Sequence, residues 1–254
     1  MNRFGFAGRA EIIAHRGFSA RAPENTLAAL SAAIEAGADA VEFDLQVTRD
    51  GVPVLFHDDS LDRTTDGTGT LADRSMDELR TLDAGSWFDP SFAGEPVPAL
   101  AEALALLEAW PGRIYPELKD PTPLEHVDRI VAEVVSQDLL ERTVFITMDW
   151  SLLERVRERA PKAGIGYIVR RASQTEEALV RAAGDPLALL DFDKAVALRD
   201  RDATGRARAL GIPMAAWTVD DPDDATRLVD AGVERITTNR VDRMVAWKAE
   251  QAPG

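Results

Sequence analysis

The sequence contains no cysteine. A disulfide framework, a thiolate metal site and a thiol nucleophile are therefore excluded, and the composition fits a reducing, cytoplasmic setting. Histidine occurs only three times, so imidazole chemistry has few places to be. No apolar run approaches the length that crosses a bilayer. The opening stretch, MNRFGFAGRAEIIAHRG, lacks the apolar segment of a secretion signal, and membrane insertion is not expected. Positive charge is also scarce: 29 Lys and Arg against 44 Asp and Glu leave a net charge of −15. Nucleic acid and anionic membrane surfaces need basic patches and are not expected partners. An anionic small molecule would be repelled at long range, so a site for one requires local positive charge. A Gly-rich dinucleotide fingerprint is missing as well, since His15-Arg16-Gly17 stands where it would follow the first strand.

What remains is an ordinary globular composition, 45% hydrophobic and 29% charged over 254 residues. That is enough for one large α/β domain or two small ones. The most informative stretch is Ala40 to Asp58. Val41, Phe43, Leu45 and Val47 alternate with Glu42, Asp44 and Gln46, which predicts a strand. Residues two apart on a strand share a face, so Glu42 and Asp44 point the same way and repel unless something positive lies between them. Thr48-Arg49-Asp50-Gly51 predicts a tight turn, and the returning arm, Val52 to Phe56, ends on His57-Asp58. One short length of backbone thus brings a carboxylate pair and an imidazole together.

Along the chain, a strand at Glu11–Ala14, a helix at Thr26–Ala36 and the Glu42 strand make a βαβ unit, which implies a parallel sheet. The order breaks over about 58–97, read as an insertion with a short helix behind the capping box Ser75-x-x-Glu78. Alternation then resumes. Helix Leu100–Ala109 precedes strand Ile114–Lys119. Helix Pro123–Ser136, capped by Thr122, precedes strand Val144–Ile146. Helix Leu152–Ala160, capped by Ser151, precedes strand Ile165–Val169. Helix Glu176–Ala183 leads to strand Leu187–Asp191, and a helix of open start ends near Leu210. Strand Met214–Val219, helix Asp223–Ala231, strand Glu234–Thr238 and a helix from about Asp242 to Gln251 complete the chain. With the hairpin arm set aside, about eight βα units remain, the number that closes a TIM (β/α)8 barrel. The predicted organisation is one such domain over 1–254 with an insertion after the second strand; an open doubly wound sheet is the competitor.

A barrel carries function at the C-terminal ends of its strands. His15 and Arg16 end the first, Glu42 and Asp44 the second, Glu117 and Lys119 the third, Thr147 the fourth and Trp217 the seventh. Blander readings exist. His15 alone is a hydrogen-bonded strand-end residue, Glu117–Lys119 a structural ion pair, Trp217 packing, and Asp58 a neighbour of His57. His126, in a first helical turn, reads as plain surface. Taken together, three carboxylates without cysteine suit one hard divalent cation, Mg²⁺ or Ca²⁺. Arg16 and Lys119 suit a phosphate, and two histidines suit general base and general acid. Metal, phosphate cradle and imidazole pair describe cleavage of a phosphodiester.

The chain resembles the glycerophosphodiester phosphodiesterase family in HRGFSARAPENT, EFDLQVTRDGVPVLFHDDSLDRTTDGTG, PELK, AAWTVDD and ITTN, in that order, over nearly its whole length. The resemblance implies a TIM barrel with a small insertion after the second strand. It also implies hydrolysis of small glycerophosphodiesters to glycerol 3-phosphate and an alcohol with Mg²⁺ or Ca²⁺, by attack of the glycerol 2-hydroxyl through a cyclic phosphate. By motif position His15 and His57 become the acid–base pair, Glu42, Asp44 and Glu117 the metal ligands, Arg16 and Lys119 the phosphate cradle, and Trp217 a pocket wall. Three positions depart from the family pattern. Thr147-Met148 replaces Ser-Phe, Asp220 stands for Asn, and Asn239 stands for Asp. They are expected to affect substrate preference and not the metal or histidine set. Alternatives are the same chemistry on lysophospholipids, with Trp87, Phe88 and Phe92 as an apolar groove, and a non-catalytic phosphate-ligand-binding barrel. A Schiff-base aldolase or an isomerase barrel would leave the histidines and carboxylates unexplained.

Overall fold

The computed structural model describes residues 10–251; most of the opening stretch read for a secretion signal lies outside the described residues. The elements, in chain order, begin with β1 (Glu11–Ala14), α1 (Leu27–Glu35), β2 (Ala40–Val47), β3 (Pro53–Leu55) and α2 (Met76–Leu79). Then come α3 (Leu100–Leu107), β4 (Arg113–Leu118), α4 (Leu124–Ser136), β5 (Val144–Thr147), α5 (Trp150–Arg159), β6 (Gly164–Val169) and α6 (Thr175–Ala182). The last are β7 (Ala188–Asp193), α7 (Lys194–Arg199), α8 (Arg201–Ala209), β8 (Met214–Trp217), α9 (Pro222–Asp230), β9 (Arg235–Thr238) and α10 (Val241–Glu250).

Eight parallel strands close on themselves in the order β1-β2-β4-β5-β6-β7-β8-β9, with β9 returning to β1. The open-sheet alternative is thereby excluded. β3 hangs antiparallel on β2, pairing Leu45 with Leu55, as the Asp-Gly turn predicted. Period-2 alternation sorts the side chains. Ile13, Ala40, Tyr115, Val144, Ile146, Ile168, Leu189 and Ala215 fill the interior, while the alternate positions form the larger core under the helices. At the N-terminal end of the interior, the fully buried Arg235 and Glu11 pair at 3.2 Å, and Arg113 reaches Glu11 at 3.0 Å.

The helices follow their patterns. On α4, Val127, Ile130, Val131 and Val134 are buried at i, i+3, i+4 and i+7. Thr26 caps α1 by accepting from the Ala29 N–H at 3.1 Å, and the predicted box at Ser75 and Glu78 is present. Two caps differ from expectation. Thr122 turns its hydroxyl to the Lys119 carbonyl, and α4 starts at Leu124 with no side-chain cap. Asp149, and not Ser151, caps α5, its carboxylate accepting from the Ser151 N–H at 3.0 Å. The helix of open start is two helices. Asp200 ends α7 outside helical geometry, and its side chain caps α8 through the Ala203 N–H. Between β3 and α3 the chain makes three short 3₁₀ turns and α2, with a small core of its own around Leu61, Leu71, Met76 and Leu79. Among the described residues no helix is long and apolar enough to cross a membrane.

Candidate active site

The register of β2 against β4 sets Asp44 directly beside Glu117, with Glu42 one inward step earlier on the same face. One oxygen from each of Glu42, Asp44 and Glu117 lies within 4.8 Å of the others. Glu42 Oε2 accepts from the backbone N–H of Arg16 at 2.8 Å, whereas Glu42 Oε1 is buried without a partner. Asp44 accepts from Asn25 Nδ2 at 2.8 Å and from Lys119 Nζ at 3.3 Å. Arg16 Nε lies 3.1 Å from Asp44, an ion pair without hydrogen-bond alignment. Lys119 also donates to Glu117 at 2.9 Å.

Burial pushes Glu42 well above the usual carboxylate range, and the charges of Asp44 and Glu117 add to it. Burial and Asp44 raise Glu117 to about 7 against the pull of Lys119. Burial would raise Asp44 too, but Arg16, Lys119 and His57 hold it well below its ordinary value. Fully ionised, the three acids would carry one charge more than Arg16 and Lys119 neutralise, and the raised values of Glu42 and Glu117 reflect that mutual repulsion together with burial. A close carboxylate set with one orphaned oxygen and no soft ligand fits a hard divalent cation.

The two histidines differ in setting. His15 Nδ1 bonds Asn239 Oδ1 at 2.8 Å. Asn239 in turn donates from Nδ2 to Asp220 at 3.0 Å, and Asp220 also accepts from the Asn239 backbone N–H at 2.8 Å. Because the Asp220 carboxylate only accepts, the Asn239 amide must turn its oxygen to His15. His15 Nδ1 then carries the proton, leaving the Nε2 lone pair free. Burial, reinforced by Arg16, lowers the His15 pKa, so the ring is neutral at pH 7. His57 instead bonds a carboxylate, with Nδ1 2.5 Å from Asp58. Arg63 from the excursion holds Asp58 and Glu24, and Glu24 holds Arg16 at 2.8 Å.

His15, Arg16, Glu42, His57, Glu117, Lys119 and Trp217 line one cavity of about 160 Å³, with Asp44 buried behind the acids. The eight residues given a site role in the sequence therefore meet at one mouth. The expectation that the departures at 220 and 239 leave the histidines untouched is corrected: Asn239 bonds His15, and the two exchanged residues bond each other. Thr147 is not at the mouth but bonds the Leu118 carbonyl, fully buried, while its neighbour Met148 lines the cavity. His126 is half-buried, its Nδ1 without a partner, and not plain surface. Sequence reasoning gave no role to Asn25, Glu24, Arg63 and Asp191, and read Asp58 as no more than a neighbour of His57. Asn25 and Glu24, inside the quoted PENT run, and Asp58 and Arg63, inside the quoted block that begins at Glu42, had a local signal; Asp191 had none.

The glycerophosphoryl diester phosphodiesterase family model matches residues 15–243. A glycerophosphodiester phosphodiesterase of Caldanaerobacter subterraneus is 31% identical over 92% of this chain and 96% of its own length. The crystal structure of a glycerophosphodiester phosphodiesterase from Agrobacterium tumefaciens superposes with a TM-score of 0.79 at 28% identity, covering 93% of this chain and 99% of that one. A phosphodiesterase from Oleispira antarctica, in complex with its product sn-glycerol-3-phosphate, superposes with a TM-score of 0.81 at 28% identity over 93% and 96% of the two chains.

Proposed function

This chain belongs to the glycerophosphoryl diester phosphodiesterase family, and on that premise we propose that its cavity hydrolyses small deacylated glycerophosphodiesters to glycerol 3-phosphate and an alcohol. The observation that carries this reading is the meeting of two differently held histidines with a three-carboxylate cluster in one cavity.

Glu42, Asp44 and Glu117 are the residues to hold a divalent cation, Mg²⁺ or Ca²⁺, which when bound supplies positive charge to the non-bridging phosphate oxygens. Arg16 and Lys119 add fixed positive charge beside the same acids and give an anionic substrate its foothold in an acidic protein. His15 is the base: neutral, with its proton fixed on Nδ1, it takes at Nε2 the proton of the attacking glycerol 2-hydroxyl, and once the alcohol has left, water opens the cyclic phosphate to glycerol 3-phosphate. His57 is the acid: bonded at Nδ1 to Asp58, it gives its proton to the leaving alkoxide. Trp217 walls the cavity.

The lysolipid reading gains no support here. Trp87, Phe88 and Phe92 stack edge-on upon one another, with ring centroids 5.7 and 5.8 Å apart, and none lines the cavity. A panel of glycerophosphocholine, glycerophosphoethanolamine and lysophosphatidylcholine, assayed for glycerol 3-phosphate or lysophosphatidate with and without EDTA, tests the proposal. Turnover of the first two should stop with EDTA and return with Ca²⁺ or Mg²⁺. Equal turnover of the lysolipid would overturn the substrate class, and turnover in EDTA would remove the metal.

A further inference from the structure

One acid in the cavity is used by none of these steps. Asp191 lies two residues beyond Leu189 on β7, so it shares the inward face of that strand. Its register partners are Ile168 on β6 and Ala215 on β8, both apolar. It is only 5% exposed, it lines the cavity, and its Oδ1 has no hydrogen-bond partner. Among the described residues the close carboxylate set is Glu42, Asp44 and Glu117 without it. A buried acid without a partner is costly to keep, and an apolar side chain would pack this floor better. A ligand group that completes its hydrogen bonding explains why a carboxyl stands there.

We propose that Asp191 is a specificity-determining residue whose carboxyl binds the free terminal hydroxyl of a deacylated glycerol moiety at the floor of the cavity. This rests on the phosphodiesterase reading above. The orientation follows from exposure. His57, which protonates the leaving alcohol, has 31% of its side chain open to solvent, so the variable head group leaves outward. The constant glycerol end then lies inward, over Asp191, Ile146 and Ile168. The 2-hydroxyl stays with the phosphate, leaving the terminal hydroxyl to reach the floor. Burial, with Glu117 adding repulsion, raises the Asp191 carboxyl to about 8. In the protonated form that burial favours, the carboxyl can both donate to and accept from a hydroxyl, as an alcohol requires. An acylated oxygen has no proton to give and would press its chain against the closed floor. A substrate lacking the hydroxyl would leave the acid unpaired.

The test compares glycerophosphoethanolamine with its analogue in which the terminal hydroxyl is replaced by hydrogen, for the wild type, Asp191→Asn and Asp191→Ala at saturating Ca²⁺. Calorimetric titration of sn-glycerol 3-phosphate accompanies it. The wild type should prefer the hydroxylated substrate by about 100-fold in kcat/KM, because a site built to bond a hydroxyl rejects its absence strongly. In Asp191→Ala the preference should fall to about threefold, through loss on the hydroxylated substrate alone, and product binding should weaken about tenfold. Asp191→Asn, nearly the same shape, should keep part of the preference and also guards against a folding defect. Equal losses on both substrates, or an unchanged preference, overturns the assignment. A wild type that cleaves neither substrate sinks the phosphodiesterase reading instead. Asp191 is then judged by the product titration, where unchanged binding in Asp191→Ala refutes its role.

Discussion

At the scale of the residue, the most telling pair is Asp220 and Asn239. A pattern comparison treats them as two separate departures. In the folded chain they are one hydrogen-bonded unit, with Asp220 accepting from Asn239 and Asn239 turning its oxygen to His15. A neutral amide on Nδ1 fixes the tautomer without the charge that would make the ring more basic. Asn239→Asp alone sets two carboxylates face to face and should lower kcat/KM by about tenfold. The double exchange Asp220→Asn with Asn239→Asp restores the donor–acceptor match and places a charge on His15. Activity should recover, with the acid limb of the pH–kcat/KM profile moved up by about one pH unit. A profile identical to the wild type's would refute a tuning role for the pair.

Among the elements, the loop after β1 is held against α1 by contact of backbone on backbone. Gly17 has φ +75°, and a Cβ there would lie 2.5 Å from the carbonyl carbon of Ala29. Its N–H also reaches the Glu42 carbonyl at 3.2 Å, joining the loop to the strand that bears the acids. Gly17→Ala must therefore push His15 and Arg16 off their positions. The expected loss is about 2 kcal/mol or more in urea unfolding, together with a fall in kcat. Gly94, at φ +84° with nothing within 4 Å of its would-be Cβ, is the control. Its Ala variant should lose about 1 kcal/mol from φ alone and keep full activity. Equal behaviour of the two variants would deny the close approach any part. Arg63 belongs to this scale as well, since it ties the excursion between β3 and α3, through Asp58 within it, to Glu24 in the loop after β1.

For the whole molecule, the consequence of burying acids together is a coupling of stability, pH and metal. Glu117 at about 7 and Asp191 at about 8 both lie above their unfolded values. A carboxyl raised in this way stabilises the fold fully below its unfolded pKa, and that contribution is lost as pH rises through the folded value. His15, which is lowered, acts in the opposite sense only below about 6.5. Between pH 6.5 and 8.5 the metal-free protein should therefore lose Tm. Because a divalent cation needs ionised ligands, Ca²⁺ or Mg²⁺ should raise Tm more at pH 8.5 than at 6.5. Glu42→Gln should abolish that rise, while relieving repulsion and raising Tm in EDTA. Thermal melts at the two pH values, with chelator and with cation, decide it; a metal shift independent of pH counts against the acidic cluster as the binding site.

Most of the barrel and the rim residues of the site were legible in the sequence because their signals are local. Alternation put Glu42 with Asp44 and Glu117 with Lys119, strand ends put His15 and Trp217 at the mouth, and an Asp-Gly turn returned His57 to the Glu42 strand. Helix caps were less legible, since Thr122 and Ser151 compete with other partners that a chain pattern does not reveal. Thr147 apart, the sequence by itself determined which of the site's side chains face the interior and at which end. Only the tertiary structure decided what each one touches there: Asn239 on His15 across 224 residues, Arg63 on Asp58, and Asp191 with nothing on its Oδ1. The physical reason is that facing is set by the two-residue period of one strand, whereas partnership is set by closure of β9 on β1 and by the stagger between strands. Those are properties of the whole ring.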